Sequence, residues 1–217
     1  MSAHSDAARV TIRFEAHLPH AQWGPLFHVF RLEQPHVSLR WRACGFPARD
    51  RSLLDGADAG LFLEPPLTPG LSGLTLATSP MVVIVPAGHR LAGHDVLSIT
   101  DILAEPFPGA PSRDPHWTAF WGLDGHRGGP PRCTDDDVTS AHEGLEVVAS
   151  GRAIATAAAS VASGLSHPGV LALQLTNPPD VRTRLVWRTR DDNPVVRSLV
   201  DLARAWTGGA DGDESRF

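Results

Sequence analysis

Few side chains in this 217-residue sequence could perform covalent or metal chemistry. It contains eleven histidines and two cysteines. It contains no tyrosine, and it contains no lysine, since all 19 of its lysine-or-arginine positions are arginine. The composition therefore excludes a lysine Schiff base, a phosphate-binding P-loop lysine and a tyrosine general acid. The sequence has no GxSxG or HExxH motif, and no GxGxxG follows a strand-like segment. We expect a protein that is not an enzyme.

The remaining candidate metal and redox groups are interpreted structurally. His17 and His20 lie one turn apart, but the sequence suggests no third ligand, so no metal or other cofactor is expected. The run Asp135-Asp136-Asp137 is interpreted as a solvated acidic turn, with cation coordination as the alternative. Cys44 and Cys133 are interpreted as buried, reduced thiols, with redox sensing at Cys44 as the alternative.

Composition and charge limit the class of protein and its partners. Apolar residues make up 42% and charged residues 20%, which is typical of a globular protein. The formal charge of −5 argues against attraction of nucleic acid by charge alone. Residues 1–9 lack the apolar core of a signal peptide, and the longest apolar stretch, residues 81–86, is far shorter than a membrane span. We expect a cytoplasmic protein without membrane contact.

The first part of the chain alternates between strand and helix patterns. Apolar alternation predicts strands at 10–14 and 37–43, and a third strand is predicted at 59–63. Helices are predicted at 19–34 and 48–54. Strand, helix, strand, helix, strand indicates right-handed crossovers and a mainly parallel sheet.

The second part contains shorter elements. Extended segments are predicted at 74–76 and 81–85, and a short strand at 107–110. Ser98 is predicted to cap a short helix, and Ser140 with Glu143 forms a capping-box pattern for another. Further strands are predicted at 153–157, 170–175 and 185–187. Asn193 and Pro194 are expected to begin a last helix whose inner face is formed by Val195, Val196, Leu199, Val200, Ala203 and Trp206.

Six phrases occur in the order typical of one protein family. FRLEQPHV ends at Val37, LLDGAD spans residues 53–58, and MVVIVPAGHRLA spans 81–92. They are followed by SITDILAEPF, EVVASGRAIATAAASVA and LVWRTRDDNPVVRSLVDLAR. Over residues 9–207 the sequence resembles the effector-binding (substrate-binding) domain of LysR-type transcriptional regulators. The LLDGAD turn is one residue shorter than is usual in that family.

The resemblance implies an α/β fold of the type 2 periplasmic-binding-protein class, with two Rossmann-like lobes joined by two crossing strands. Lobe I would comprise residues 9–79 and 174–207, and lobe II residues 80–173. The tails, 1–8 and 208–217, are expected to be disordered. The family's N-terminal winged helix-turn-helix has no counterpart before Val10, so we expect no direct contact between this chain and DNA.

The resemblance also implies a ligand-sensing regulatory function. A small organic effector, expected to be an anion, would bind in the cleft between the lobes, mainly to main-chain amides at the ends of strands and helices. Family members form side-by-side homodimers, and the same is expected here. The alternative is a stand-alone small-molecule binding or dimerising scaffold protein with no DNA regulation of its own.

The family's effector-contacting loops correspond to five segments of this sequence. His17 lies at the position where many family members have a serine or threonine whose hydroxyl contacts the effector. It could donate to a carboxylate, or could be a solvent-facing histidine. Arg113 could clamp an anion, or pair with Asp114 or solvent. Phe46, with Trp117 or Trp121, could form an apolar wall, although core packing is the alternative for the tryptophans. The predicted ligand-binding residues are Ala16, His17, Leu18, Gly45, Phe46, Pro65, Pro66, Gly109, Ala110, Ser112, Arg113, Asp137, Val138 and Thr139.

Overall fold

The computed structural model describes residues 8–208, which divide into two compact units. The first unit contains the chain up to Cys44, then Ser52–Ala77, and the chain from Arg182 onward. The second contains Gly45–Arg51 and Thr78–Val181. Apart from Ala8 and Gly208, the tails that were expected to be disordered lie outside the described residues.

The sheet of the first unit is built from strands β1 (Arg9–Glu15), β2 (Ser38–Cys44) and β3 (Ala59–Leu63), together with β8 (Asp180–Arg188). Their order is β2-β1-β3-β8, with β1 parallel to both of its neighbours and β8 antiparallel to β3. The three predicted strands of the first part of the chain and their parallel arrangement are confirmed. Because β1 is paired on both sides, its carboxyl end lies between those of β2 and β3.

Two helices of the first unit begin with proline in their first turn, where its missing N–H is no loss. Helix α1 (Gly24–Glu33) follows a 3₁₀ turn at His20–Gln22, so the predicted helix starts several residues late. Helix α7 (Pro194–Trp206) is capped by Asn193, whose side chain accepts from the N–H of Val195, as predicted. The buried face of α7 comprises Val196, Leu199, Val200 and Ala203.

The second unit has a different strand arrangement. Strand β4 (Leu71–Pro86) enters this unit at Thr78 and pairs antiparallel with β6 (Ala155–Ala158) and β7 (Val170–Leu175). Strand β5 (Val96–Leu97) pairs parallel to β7. The predicted mainly parallel sheet therefore applies to β1–β3 and not to this unit. Residues 81–86 of β4 are all buried, which explains their continuous apolar sequence.

Short helices complete the second unit, and the two predicted N-caps, Ser98 and Ser140, are confirmed. They are α2 (Ile99–Ile102), α3 (Pro115–Trp121), α4 (Asp124–Arg127), α5 (Ala141–Ala149) and α6 (Ala159–Ala162). Ser98 caps α2, where the reciprocal capping box is formed with Asp101. Ser140 caps α5, but the carboxylate of Glu143 accepts from the N–H and hydroxyl of Thr139 instead of forming the predicted reciprocal box.

Several sequence predictions need correction. The helix predicted at 48–54 is absent, because main-chain groups at 47–49 hydrogen-bond to residues 112–114 instead of to each other. For the same reason Gly45–Arg51, which was assigned to lobe I, groups with the second unit. The expected boundaries at 79/80 and 173/174 also differ from the observed changes of unit, which fall after Ala77 and after Val181.

Truncation of a buried side chain on α7 tests the core of the first unit. Leu199 has no exposed surface, so Leu199→Ala is expected to lower the free energy of unfolding by about 2–5 kcal/mol. Leu32→Ala on α1, where the side chain is 69% exposed, is the matched control and should change it by less than about 0.5 kcal/mol. Urea unfolding measures both, and equal effects would contradict the assigned core.

Candidate functional site

Three of the five predicted ligand-binding segments meet in the second unit. We call residues 45–49, 109–113 and 134–139 the loop cluster. The N–H of Phe46 donates to the carbonyl of Thr139 at 2.8 Å, and the N–H of Val138 donates to the carbonyl of Gly109 at 2.9 Å. The N–H of Arg49 donates to the carbonyl of Ser112 at 3.0 Å. Segments that lie far apart in the sequence are thus joined by their main chains.

Two glycines allow this close approach. A Cβ atom on Gly45 would lie 2.2 Å from the carbonyl oxygen of Thr139. A Cβ atom on Gly109 would lie 2.2 Å from the carbonyl oxygen of Thr134 and 2.5 Å from that of Asp136. Both glycines are therefore required by main-chain packing, whatever their part in binding a ligand.

Ser112, Arg113 and Asp137 form a polar group at the surface of the loop cluster. The carboxylate of Asp137 accepts from the hydroxyl of Ser112 at 2.7 Å and from its N–H at 3.3 Å. The hydroxyl hydrogen bond is the main cause that lowers the pKa of Asp137, and the nearby charge of Arg113 acts in the same direction. Two predicted ligand-binding residues, Ser112 and Asp137, thus bind each other.

Arg113 is the cation of the loop cluster that the prediction singled out. Its Nη1 donates to the carbonyl of Phe46 at 3.3 Å. Its Nε is buried and has no hydrogen-bond acceptor within residues 8–208. A buried guanidinium N–H without an acceptor is costly.

A network of side chains holds the 134–139 segment in place. Arg152 contacts both carboxylate oxygens of Asp136, at 2.9 and 3.2 Å. Asp136 also accepts from the hydroxyl of Thr134, whose oxygen accepts from the N–H of Gly109. Hydrogen bonds from Thr134 and then Arg152 lower the pKa of Asp136, and those from Thr139 lower the pKa of Glu143. The predicted acidic turn is therefore a hydrogen-bonded anchor.

The predicted apolar wall is present in part. The rings of Phe46 and Trp117 lie 4.5 Å apart, and those of Trp117 and Trp121 lie 5.9 Å apart. Phe46 also packs on a buried cluster that includes Val138. Trp117 is buried, and within the described chain the indole N–H groups of Trp117 and Trp121 have no hydrogen-bond acceptor. Phe46 and Trp117 are thus in contact, as expected, and both contribute to the core.

Many main-chain amides of the loop cluster are already engaged. Those of Phe46, Gly109, Ser112, Val138 and Thr139 all donate to acceptors within the second unit. These amides, which were expected to supply most of the binding, cannot also donate to a ligand without losing an internal bond. A ligand at the loop cluster would consequently depend more on side-chain donors than on the predicted main-chain donors.

The other two predicted segments, 16–18 and 65–66, belong to the first unit. Leu18 is buried, and its N–H donates to the carbonyl of Glu15 at 3.0 Å. Pro65 is buried and Pro66 is half-buried, directly after β3. The Nε2 of His17 lies 3.1 Å from the Oε2 of Glu15, and both side chains are almost completely buried. His17 is therefore not a solvent-facing side chain.

The model of the LysR substrate binding domain matches residues 3–208. The chain belongs to this family. The prediction from the sequence phrases is thereby confirmed, and the family is that of the regulatory, effector-binding domains of LysR-type transcription factors.

Among relatives of this LysR domain, the HTH-type transcriptional regulator IlvR of Caulobacter vibrioides is 28% identical over 148 residues. That match covers 66% of this chain and 49% of IlvR, so the chain spans about half the length of this relative.

Solved structures show the fold of this LysR domain. The effector-binding domain of a BenM variant is 20% identical, with a TM-score of 0.70 over 93% of this chain and 95% of that one. The BenM domain with its effector benzoate is 19% identical, with a TM-score of 0.66 over 94% and 96%. The CcmR regulatory domain of Synechocystis PCC6803 in complex with 2-PG is 17% identical, with a TM-score of 0.69 over 94% and 99%. The fold is type 2 periplasmic-binding-protein-like, as predicted.

The described part of this LysR domain gives no support for a metal site or a membrane-spanning helix. Residues 8–208 contain no group of three or more histidine, cysteine or acidic side chains placed to hold a metal ion. Within the same residues, no helix has the length and apolarity needed to cross a bilayer.

Cys44 is half-buried, and burial raises the pKa of its thiol to about 11, which disfavours the reactive thiolate. Cys133 is exposed, so its predicted burial is wrong.

Sequence reasoning did not predict the part that four residues play in organising these sites, although it had named Asp136 in an acidic turn and Glu143 in a capping-box pattern. Glu15, Asp136, Glu143 and Arg152 hold His17 or the loop cluster in place. A charged residue at the end of a strand that is paired on both sides was the available signal for Glu15. The partners of Asp136 and Arg152 are not evident from sequence spacing.

Gly45→Ala tests the close main-chain approach in the loop cluster. The added methyl group must displace the carbonyl of Thr139, so we expect a loss of about 1–3 kcal/mol in the free energy of unfolding. Gly125→Ala on α4 is the matched control, because its Cβ would have no neighbour within 4 Å. It should be neutral or slightly stabilising. Chemical unfolding of both variants measures the difference, and a harmless Gly45→Ala would refute the packing argument.

The two thiols should differ in reactivity toward a disulfide reagent. At pH 8 a thiol with a pKa of about 11 is about 0.1% ionised, so Cys44 should react very slowly in the folded protein. Cys133 also has a raised pKa but is exposed, so it should react first. Cys133→Ser should remove the faster phase and Cys44→Ser the slower one. Rapid labelling of Cys44 would contradict its assigned environment.

Proposed function

We propose that this chain is the ligand-sensing domain of a LysR-type transcriptional regulator and that it binds a small organic anion. The match to the family over residues 3–208 is the observation that carries this proposal. Two relatives of the same fold have solved structures with a bound small molecule, BenM with its effector benzoate and CcmR with 2-PG. Benzoate is an organic anion at neutral pH, and the effector proposed here belongs to that chemical class.

The loop cluster supports an anionic ligand through Arg113. Its guanidinium has an N–H without an acceptor in the described chain, and its charge acts on the carboxylate of Asp137, which is hydrogen-bonded to Ser112. Phe46 and Trp117 supply apolar surface in the same cluster. We propose that the effector's acidic group binds Arg113, and that the remaining predicted residues, including His17 of the first unit, complete the family's cleft site.

The proposal extends to the whole regulator. The effector would shift the populations of two arrangements of the lobes, and this shift would change how a homodimer presents its DNA-binding domains. DNA would be contacted by a separate winged helix-turn-helix domain and not by this chain. We propose that the regulator works in the cytoplasm.

A thermal-shift screen of aromatic and aliphatic carboxylates, with benzoate included, tests the proposed ligand class. A carboxylate present at 100 times its Kd should stabilise the native domain by about 2.7 kcal/mol, since it binds only the folded state. Arg113→Gln should abolish most of the shift in Tm, because it removes the charge that binds the acid. Arg190→Gln, at an exposed arginine outside the predicted site, is the matched control and should retain it.

Two outcomes of this screen would contradict the proposal. One is that no carboxylate raises Tm. The other is that a carboxylate raises the Tm of the native domain and of Arg113→Gln equally, which would place binding elsewhere.

A further inference from the structure

The carboxylate of Glu15 is buried at the carboxyl end of β1. The residue is 1% exposed, and its Oε1 accepts from the N–H of Leu63, at the end of β3, at 3.3 Å. No described group donates a well-aligned hydrogen bond to its Oε2, although the Nε2 of His17 lies only 3.1 Å away. A buried carboxylate oxygen is stable only with a donor or a positive charge beside it. The imidazole of His17 is the group placed to supply both.

The fixed orientation of Glu15 determines which nitrogen of His17 must carry a proton. Because Oε1 accepts from the main chain of Leu63, Oε2 faces the imidazole. An ionised carboxylate has no proton to donate, so Nε2 must be protonated for the contact to be favourable. The other nitrogen, Nδ1, is then the one that Glu15 does not engage.

The other charged and titratable groups near Glu15 are already held by the first unit. Arg13, also on β1, donates from Nη1 to the carbonyl of Leu53 at 2.9 Å and lies 3.8 Å from the carboxylate of Asp55. Cys44, aligned with Glu15 on β2, donates from Sγ to the carbonyl of Phe14. The ring of His20, three residues after His17, packs against Trp23.

We propose that Glu15 is a positioning residue for His17. Its carboxylate holds the imidazole with a proton on Nε2, and the imidazole so held binds the anionic effector through a protonated Nδ1. The second statement rests on the function proposed above, whereas the first concerns the free domain alone. A histidine held in this way is a charged donor, whereas the hydroxyl of relatives is a neutral one, so this pair would favour a carboxylate over a neutral ligand.

Nitrogen NMR of the His17 imidazole in the free domain tests the positioning directly. The native protein should carry a proton on Nε2. Glu15→Gln has the same size, and its amide oxygen can still accept from Leu63, so its NH₂ group would face His17. The imidazole must then accept at Nε2, and the neutral ring should change to the tautomer with its proton on Nδ1. A purely structural role of Glu15 would not invert the tautomer.

Two NMR results would overturn the positioning role. They are a native ring with its proton on Nδ1 alone, and a proton distribution that is unchanged in Glu15→Gln. The backbone amide spectrum shows whether each variant is folded. Glu33→Gln, at an exposed acid on α1, is the control and should leave the ring of His17 unchanged.

Calorimetric titration with benzoate, and with the carboxylate that stabilises the domain most, tests the link to the effector. Glu15→Gln and His17→Gln should each bind about tenfold more weakly than the native domain, the effect of one charge-assisted hydrogen bond. His28→Gln, at an exposed histidine, should bind normally. Normal binding by both site variants would overturn the effector contact while leaving the proposed function intact. If no carboxylate binds the native domain, the proposed function and this contact both fail, and the NMR result decides the positioning role by itself.

Discussion

Main-chain contacts that leave no room for a side chain are the constraint on which the second unit's candidate site depends. The carbonyl of Thr139 accepts from the N–H of Phe46 and occupies the space of a Cβ on Gly45. Gly109 lies equally close to the 134–136 main chain. Because these contacts join three distant segments, they fix the positions of Ser112 and Arg113 at the surface of the unit. Main-chain contacts thus determine the shape of the candidate site, and they determine where its side chains lie.

This construction has a consequence for recognition. Main-chain amides that hold the loops together are not available to a ligand, so the recognition proposed here depends on side chains that the loops position. In the second unit this side chain is Arg113, whose Nε has no acceptor in the described chain. In the first unit it is His17, which is held beside the buried Glu15. Both are donors that carry or can carry positive charge, and their chemistry matches an organic acid.

The sequence predicted elements that are determined locally and missed those that depend on distant partners. Strand β3 and helix α7 follow from apolar periodicity and from the Asn193-Pro194 cap, and the structure has both. The helix predicted at 48–54 fails because its main-chain groups pair with residues more than 60 positions away. The bond between Ser112 and Asp137 was missed for the same reason, since nothing in the spacing of two exposed polar residues indicates that they bind each other.

The most direct test of the account is to map the change in backbone amide NMR shifts when benzoate, or the best-stabilising carboxylate, is added to the domain. The account predicts that the largest changes occur at residues 16–18, 45–46, 109–113 and 137–139. Saturation should follow a single binding curve. Changes confined to other surfaces, or none at saturating acid, would contradict the claim that these loops hold a small organic anion.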